Sequence, residues 1–251
     1  MLPDFHTHQP LNLMIVGLLL LPLMGSACLF SVVTIGLLFA RAKIFKQRVY
    51  KPMIFNLFLA WIPIVCVGIA MLVFLAFVIK GLSLLWVTIV LLAIWFVFFP
   101  NSTYLVTEFH HLRDEKADIP YWFDTIVILS LALSGLLLGS FSLLLVHELL
   151  LIYLPGAVTW VMFVAYLFLS NVGIYIGRFM RFNSWDVVTN PLKLLVHLKK
   201  AFQEKQTRRQ LALFSSLFTL FLLTFYIFLY SAVAPVASAL LFVLQHPGAL
   251  Q

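Results

Sequence analysis

The sequence predicts an all-α integral membrane bundle: about six transmembrane helices in a single transmembrane domain over residues 1–251, with short interfacial helices between them. Three observations lead there. Hydrophobic residues fill 63% of the 251 positions and charged residues only 10%, where soluble domains carry about a quarter charged residues. The apolar residues come in runs near the ~20 residues that a spanning helix needs. The 16 Lys and Arg residues gather beside those runs and leave their interiors uncharged.

The first run covers 11–40 and the last 211–244. Both are longer than a bilayer requires, so each is expected to tilt, kink or project. Pro22 and Pro235 are the expected kink sites, because proline brings no N–H to the helix. Runs 54–79 and 82–99 follow, the latter just long enough to span. Pro100 is expected to end it, since the residue before a proline avoids helix. The fourth span reads as 122–146, opening on interfacial Tyr121 and Trp122. His147, Glu148 and Pro155-Gly156 then mark a tight turn before the fifth span at 155–176. Gly135-Leu-Leu-Leu-Gly139 and Gly173-Ile-Tyr-Ile-Gly177 have the spacing that lets helix backbones approach closely, with packing inside one bundle the expected use. Beyond the fifth span, Asn190-Pro191 starts an amphipathic helix with Leu194, Leu195, Leu198 and Phe202 on one face, laid on the inner leaflet.

Orientation follows from the basic residues. With the N-terminus outside, the first, third and fifth connections face inward and leave only Lys80 of the basic residues outside. Both termini are therefore expected to be extracytoplasmic. The net charge of +7 suits anionic lipid headgroups as the chain's partners, with no role for nucleic acid. Gly25-Ser26-Ala27-Cys28 resembles a lipoprotein cleavage site, but Asp4 and the absence of early Lys or Arg predict an uncleaved first span. Cys28 and Cys66 lie inside apolar runs and offer neither disulfide nor metal spacing.

The chemistry concentrates in the third and fifth connections. Asn101 reads as the N-cap of a short helix from 102 to about 112. At about 100° per residue, Asn101, Tyr104, Glu108 and His111 share one polar arc, with Leu105, Phe109 and Leu112 beside it. That helix would turn its polar side to an aqueous cavity. Glu108-x-x-His111 is also the spacing that presents two ligands to one metal, against acid–base work as the other use of the pair. Asp124, just inside the membrane edge, favours a helix N-terminus and calls for a cation, with Arg178 and Arg181 the expected partners by depth. Those arginines, one turn apart, suit phosphate or carboxylate recognition. Asn183 and Asp186 form a capping-box-like pair, with substrate binding as the alternative use.

Taken together, these residues resemble a family. The stretches Phe98-Phe99-Pro100-Asn101 through Glu108-Phe109-His110-His111-Leu112, Pro120-Tyr121-Trp122-Phe123-Asp124, Gly135 to Gly139, and Gly177-Arg178 through Trp185-Asp186 are similar to the bacterial domain-of-unknown-function family numbered 1361, over residues 86–197. The resemblance implies a multi-pass membrane protein and marks Pro100, Asn101, Tyr104, Thr107, His111, Asp124, Arg178, Arg181, Asn183, Trp185 and Asp186. It favours His111 over His110. It also implies an Ala-Pro pair where Ser102-Thr103 stands and Asp where Glu108 stands, so the carboxyl group here reaches one methylene further. It implies no reaction and no cofactor.

Three functions remain compatible with this pattern. One is a cytoplasmic-face site for a lipid-linked or phosphorylated substrate, with Glu108, His111 and Asp124 in catalytic roles, Glu108 and His111 as the metal alternative, and Asn101, Tyr104, Arg178, Arg181, Asn183 and Asp186 binding the substrate. A transporter or channel is the second, weakened by spans nearly free of charge. A membrane scaffold or accessory subunit is the third. No nucleotide-binding loop or zinc-protease helix is present in the sequence. The topology makes a direct prediction: in a variant without Cys28 and Cys66, single cysteines at positions 116 and 199 are labelled by a membrane-impermeant maleimide only after the membrane is opened, whereas one at position 3 is labelled in intact cells.

Overall fold

A computed structural model of the chain describes residues 9–80, 85–110, 119–179 and 203–245. Among them are six α-helices and one 3₁₀ helix: α1 (Gln9–Ile44), α2 (Lys51–Lys80), α3 (Leu85–Tyr104), the 3₁₀ helix (Leu105–His110), α4 (Tyr121–Leu151), α5 (Gly156–Phe179) and α6 (Lys205–Gln245). Each α-helix contributes a segment long and apolar enough to cross a membrane. The chain is an all-α, multi-pass membrane protein. As the run lengths predict, α1 and α6 are the longest helices, at 36 and 41 residues, and both continue through their prolines. At 1.5 Å per residue α6 extends for about 60 Å, twice the hydrocarbon thickness.

The helices fall into two compact units, one of Met1–Pro155 with Phe228–Gln251 and one of Gly156–Ile227. In the first unit α4 is central. Its most apolar window is 72% buried, against 28%, 39% and 33% for α1, α2 and α3. The reason lies in its small residues. A Cβ added at Gly135 would land on the Ser102 carbonyl oxygen and 2.8 Å from the Leu105 Cβ. One added at Gly139 would sit 3.3 Å from the Thr103 Cγ2. The glycine pair is thus the seat of the α3–3₁₀ junction, the internal packing use expected of it. Gly173 differs: a Cβ there meets nothing within 4 Å, so close helix packing does not explain it.

Lipid offers no water to unpaired polar groups, so they pair across helices. Thr34 and Ser130 hydroxyls lie 2.6 Å apart, joining α1 to α4. The Trp61 indole donates to Ser31 Oγ at 3.2 Å, joining α2 to α1. Ser102 Oγ donates to the Ala60 carbonyl at 2.9 Å, joining α3 to α2.

Two expected helix breaks do not occur where the sequence places them. Pro100 does not end α3, which continues through Tyr104 and then tightens into the 3₁₀ helix. Asn101 accordingly caps no new helix; its amide donates back to the Phe98 carbonyl at 3.2 Å. Thr103 and Thr107 hydroxyls likewise donate to carbonyls three residues earlier, Pro100 and Tyr104, at 3.3 and 2.7 Å. These local bonds match the i, i+3 geometry into which the chain passes. The second difference is α4, which runs on to Leu151. His147 and Glu148 lie on that helix and are buried, not in a turn. The apolar run that follows them carries the helix onward, and its end is tied by Tyr153 and Leu154 N–H groups donating to the Leu150 carbonyl.

The second unit is an antiparallel pair, α5 with the first part of α6. Asn171 Nδ2 donates to Thr219 Oγ1 at 2.8 Å, with Asn171 fully buried. Trp160 and Phe163 pack on Tyr226, and Tyr175 and Phe179 on Phe214, which uses part of the abundant phenylalanine as interhelical filling.

The glycine seat sets a stability test. Gly135→Ala is expected to destabilise the protein by about 1–3 kcal/mol, because the obstructing atom is backbone. Gly68→Ala, with open space around it, is expected to be neutral or to stabilise by up to about 1 kcal/mol. Thermal unfolding in detergent, followed by circular dichroism, reads both.

Candidate functional site

α1 ends, α2 begins, α3 ends and α4 begins at the same end of the first unit, and the polar side chains of that end come from all four. Arg41 belongs to the last turn of α1, because that helix runs four residues past its expected end at 40. Its Nε donates to Asp124 Oδ1 at 2.7 Å and its Nη2 to Asp124 Oδ2 at 3.3 Å, a two-pronged pair. The side chains are 9% and 19% exposed. Asp124 also lies in the first turn of α4, where the helix dipole favours a negative charge. An edge-to-face contact between Phe45 and Phe123, centroids 5.3 Å apart, packs beside it.

The cation on Asp124 is Arg41, a residue that the count of basic residues gives to the first connection, where Arg178 and Arg181 were the expected partners. Arg178 lies in the last turn of α5, in the second unit. Arg181, with His111, Asn183, Trp185, Asp186 and the amphipathic stretch from Asn190, lies outside the described residues.

Glu108 sits differently from the sequence reading. An α-helical arc would place it with Asn101, Tyr104 and His111 toward water. In 3₁₀ geometry residues three apart share a face. Leu105 and Glu108 therefore go inward together, at 0% and 2% exposure, in line with Ser102 at the end of α3, at 0%. Asn101 and Tyr104 are half-buried. The Asn56 amide donates to Glu108 Oε1 at 2.9 Å, so α2 holds the carboxyl group in place. Asn56 is a polar residue inside a span, and that is the sequence signal that could have paired the two.

A model of the family described as Protein of unknown function (DUF1361) matches residues 55–229. The chain belongs to this family. The match begins one residue before Asn56 and takes in Glu108, Asp124 and Arg178, whereas Arg41 precedes it. It also extends past both ends of the 86–197 core in which the resemblance was read. No curated protein and no solved structure matches the chain. DUF1361 membership carries no reaction with it.

As for a metal, no three His, Cys, Asp or Glu side chains converge among the described residues. The Glu108–His111 alternative turns on His111, outside them. What the described end of the bundle offers is a buried carboxyl group with a fixed amide neighbour, next to helices locked by a compensated ion pair.

The ion pair yields a double-mutant test. Asp124→Asn leaves Arg41 without its counter-charge and is expected to destabilise by about 3 kcal/mol, the low end for breaking a buried pair. Arg41→Met is expected to destabilise similarly, and the double variant to recover most of the loss. Additive losses in detergent unfolding would show that the two side chains do not act as a pair.

Proposed function

We propose that this DUF1361 protein is a bacterial plasma-membrane protein that handles a lipid-linked or phosphorylated substrate at its cytoplasmic face. In this reading Glu108 is the acid–base group. The observation that carries it is the burial of that carboxyl group at a helix end, fixed by the Asn56 amide. An ionisable side chain in a membrane-embedded bundle is expensive to keep and marks function by default.

The other parts follow from charge. The positive-inside count puts the connections after α3 and after α5 on one side of the membrane. It thereby gives Glu108 a cytoplasmic neighbourhood rich in Lys and Arg. Arg178 and Arg181 hold the anionic group, since guanidinium forks match phosphate oxygens two at a time. Asn101, Tyr104, Asn183 and Asp186 complete the polar surround, and His111 is the second proton carrier. Asp124, expected from the sequence in a catalytic role, is read here as a positioning residue that anchors the start of α4 through Arg41.

Native mass spectrometry of the full chain, purified in mild detergent, tests this. A phosphate-bearing lipid is expected to co-purify with the wild type. Its occupancy should fall about tenfold or more in the Arg178→Ala/Arg181→Ala variant and stay unchanged in Glu108→Gln, which removes a proton carrier but no anion ligand. A lipid phosphate held equally by all three proteins, or by none, sinks the proposal.

A further inference from the structure

Between Asp4 and Glu108 the sequence has no acidic residue, yet Arg41, Lys43, Lys46, Arg48 and Lys51 crowd the turn from α1 to α2. Arg41 is spent on Asp124. The other four are exposed, and among the described residues none of them has an ion pair or a side-chain hydrogen bond. Four uncompensated positive charges on one short connection attract anions. Packing sets their depth. The spanning segments of α1 and α2 end at Ile44 and begin at Lys51. Phe45 is edge-on to Phe123, and Arg41 holds Asp124, so the connection is fixed beside the start of α4. There Tyr121 and Trp122 are 78% and 62% exposed, the position that amphipathic rings take among headgroups. The four cations thus lie at the level of lipid phosphates.

The backbone adds an independent observation. Lys46 has a φ of 53°, in the left-handed region that favours glycine. It closes α1. The Gln47 N–H donates to the Ala42 carbonyl at 3.0 Å across it, and the Phe45 N–H to the Arg41 carbonyl at 3.1 Å. Helix ends of this kind usually place glycine at the left-handed position, because a Cβ there is crowded. The turn itself calls for no side chain at 46. What lysine adds, against that conformational cost, is an exposed ammonium group.

We propose that the α1–α2 connection is a docking surface for anionic phospholipid headgroups, which Lys43, Lys46, Arg48 and Lys51 select over zwitterionic ones. Depth and charge carry the choice of occupant. Lipid phosphates are the anions at that level, and a zwitterionic headgroup brings its own cation to compete with the lysines. Since all four side chains are exposed, the headgroup is held on a surface and exchanges with the surrounding bilayer. Glu108, Arg178 and Arg181 take no part, so the inference stands apart from the function proposed above. Arg41, Lys43, Lys46, Arg48 and Lys51 also precede the family match, which begins at 55. The surface is to that extent a property of this chain.

Photo-crosslinking of the full chain in phospholipid vesicles tests it. Phosphatidylglycerol and phosphatidylcholine probes, each with a diazirine at the top of one acyl chain, are compared by the adducts they leave on residues 40–55, read by peptide mass spectrometry. At low salt phosphatidylglycerol is expected to give about tenfold more adduct or better. In 1 M salt, where charges are screened within about 3 Å, the yields should approach equality. Lys46→Gly suits the left-handed backbone, so it should keep or raise the melting temperature while cutting the preference about fivefold, the worth of one cation near an anionic surface. Lys43→Gln/Arg48→Gln/Lys51→Gln should remove most of it. Arg178→Ala/Arg181→Ala should leave it unchanged, so this inference and the function proposed above fail separately. Equal yields from the two probes, or a preference that survives both Lys46→Gly and 1 M salt, overturns the proposal. Equal yields with saturable binding of pyrophosphate in isothermal titration overturn it in favour of a soluble anion.

Discussion

Where the Ser102 carbonyl oxygen lies, a side chain on residue 135 would otherwise be. That close approach of α3 to α4 is the constraint on which the candidate site depends. It places the chain after Pro100 against the central helix, so the segment that follows has to bury one face there. A 3₁₀ helix does this by stacking every third residue, and Leu105 and Glu108 go inward together below Ser102 of α3. The carboxyl group is buried because the glycines admit the backbone that carries it. Asn56 then meets it from α2 and makes its burial tolerable.

The same bundle shows how a lipid-soluble fold gains specificity without a hydrophobic drive between helices. Leucine against leucine does not distinguish a helix partner from a lipid tail. The hydroxyl pair of Thr34 and Ser130, the Trp61 indole on Ser31, and Ser102 on the Ala60 carbonyl do distinguish it. Each is worth about 0.6–2 kcal/mol, modest singly, but each fixes both the register and the rotation of a helix that would otherwise slide. The Arg41–Asp124 pair does the same at the membrane edge with charge.

Length and charge made the helical membrane class legible, because a span of lipid must be apolar along its whole length whatever it packs against. The Gly135 and Gly139 seat was legible for a related reason: small residues four apart have few other uses in a membrane helix. The geometry around Glu108 was not. A fixed angle per residue put Asn101, Tyr104 and Glu108 on one arc, and a tightening of the helix by less than one residue per turn was enough to move Glu108 to the inside. Arg41 was hidden by a rule that counts loop charges, since the rule takes no account of a helix that outlasts its hydrophobic run. His147 and Glu148 were hidden by the habit of reading any charge as a boundary. The leucines after them carried the opposite signal.

The most buried helix of the first unit carries an ionisable group in its first turn and another in its last, and the helix dipole treats them oppositely. Asp124 sits where the field is positive and still has Arg41, so its charge is compensated twice. Glu148 sits in the last turn, where the field is negative, and is nonetheless buried at 6% exposure, so burial and not the dipole sets its place in the bundle.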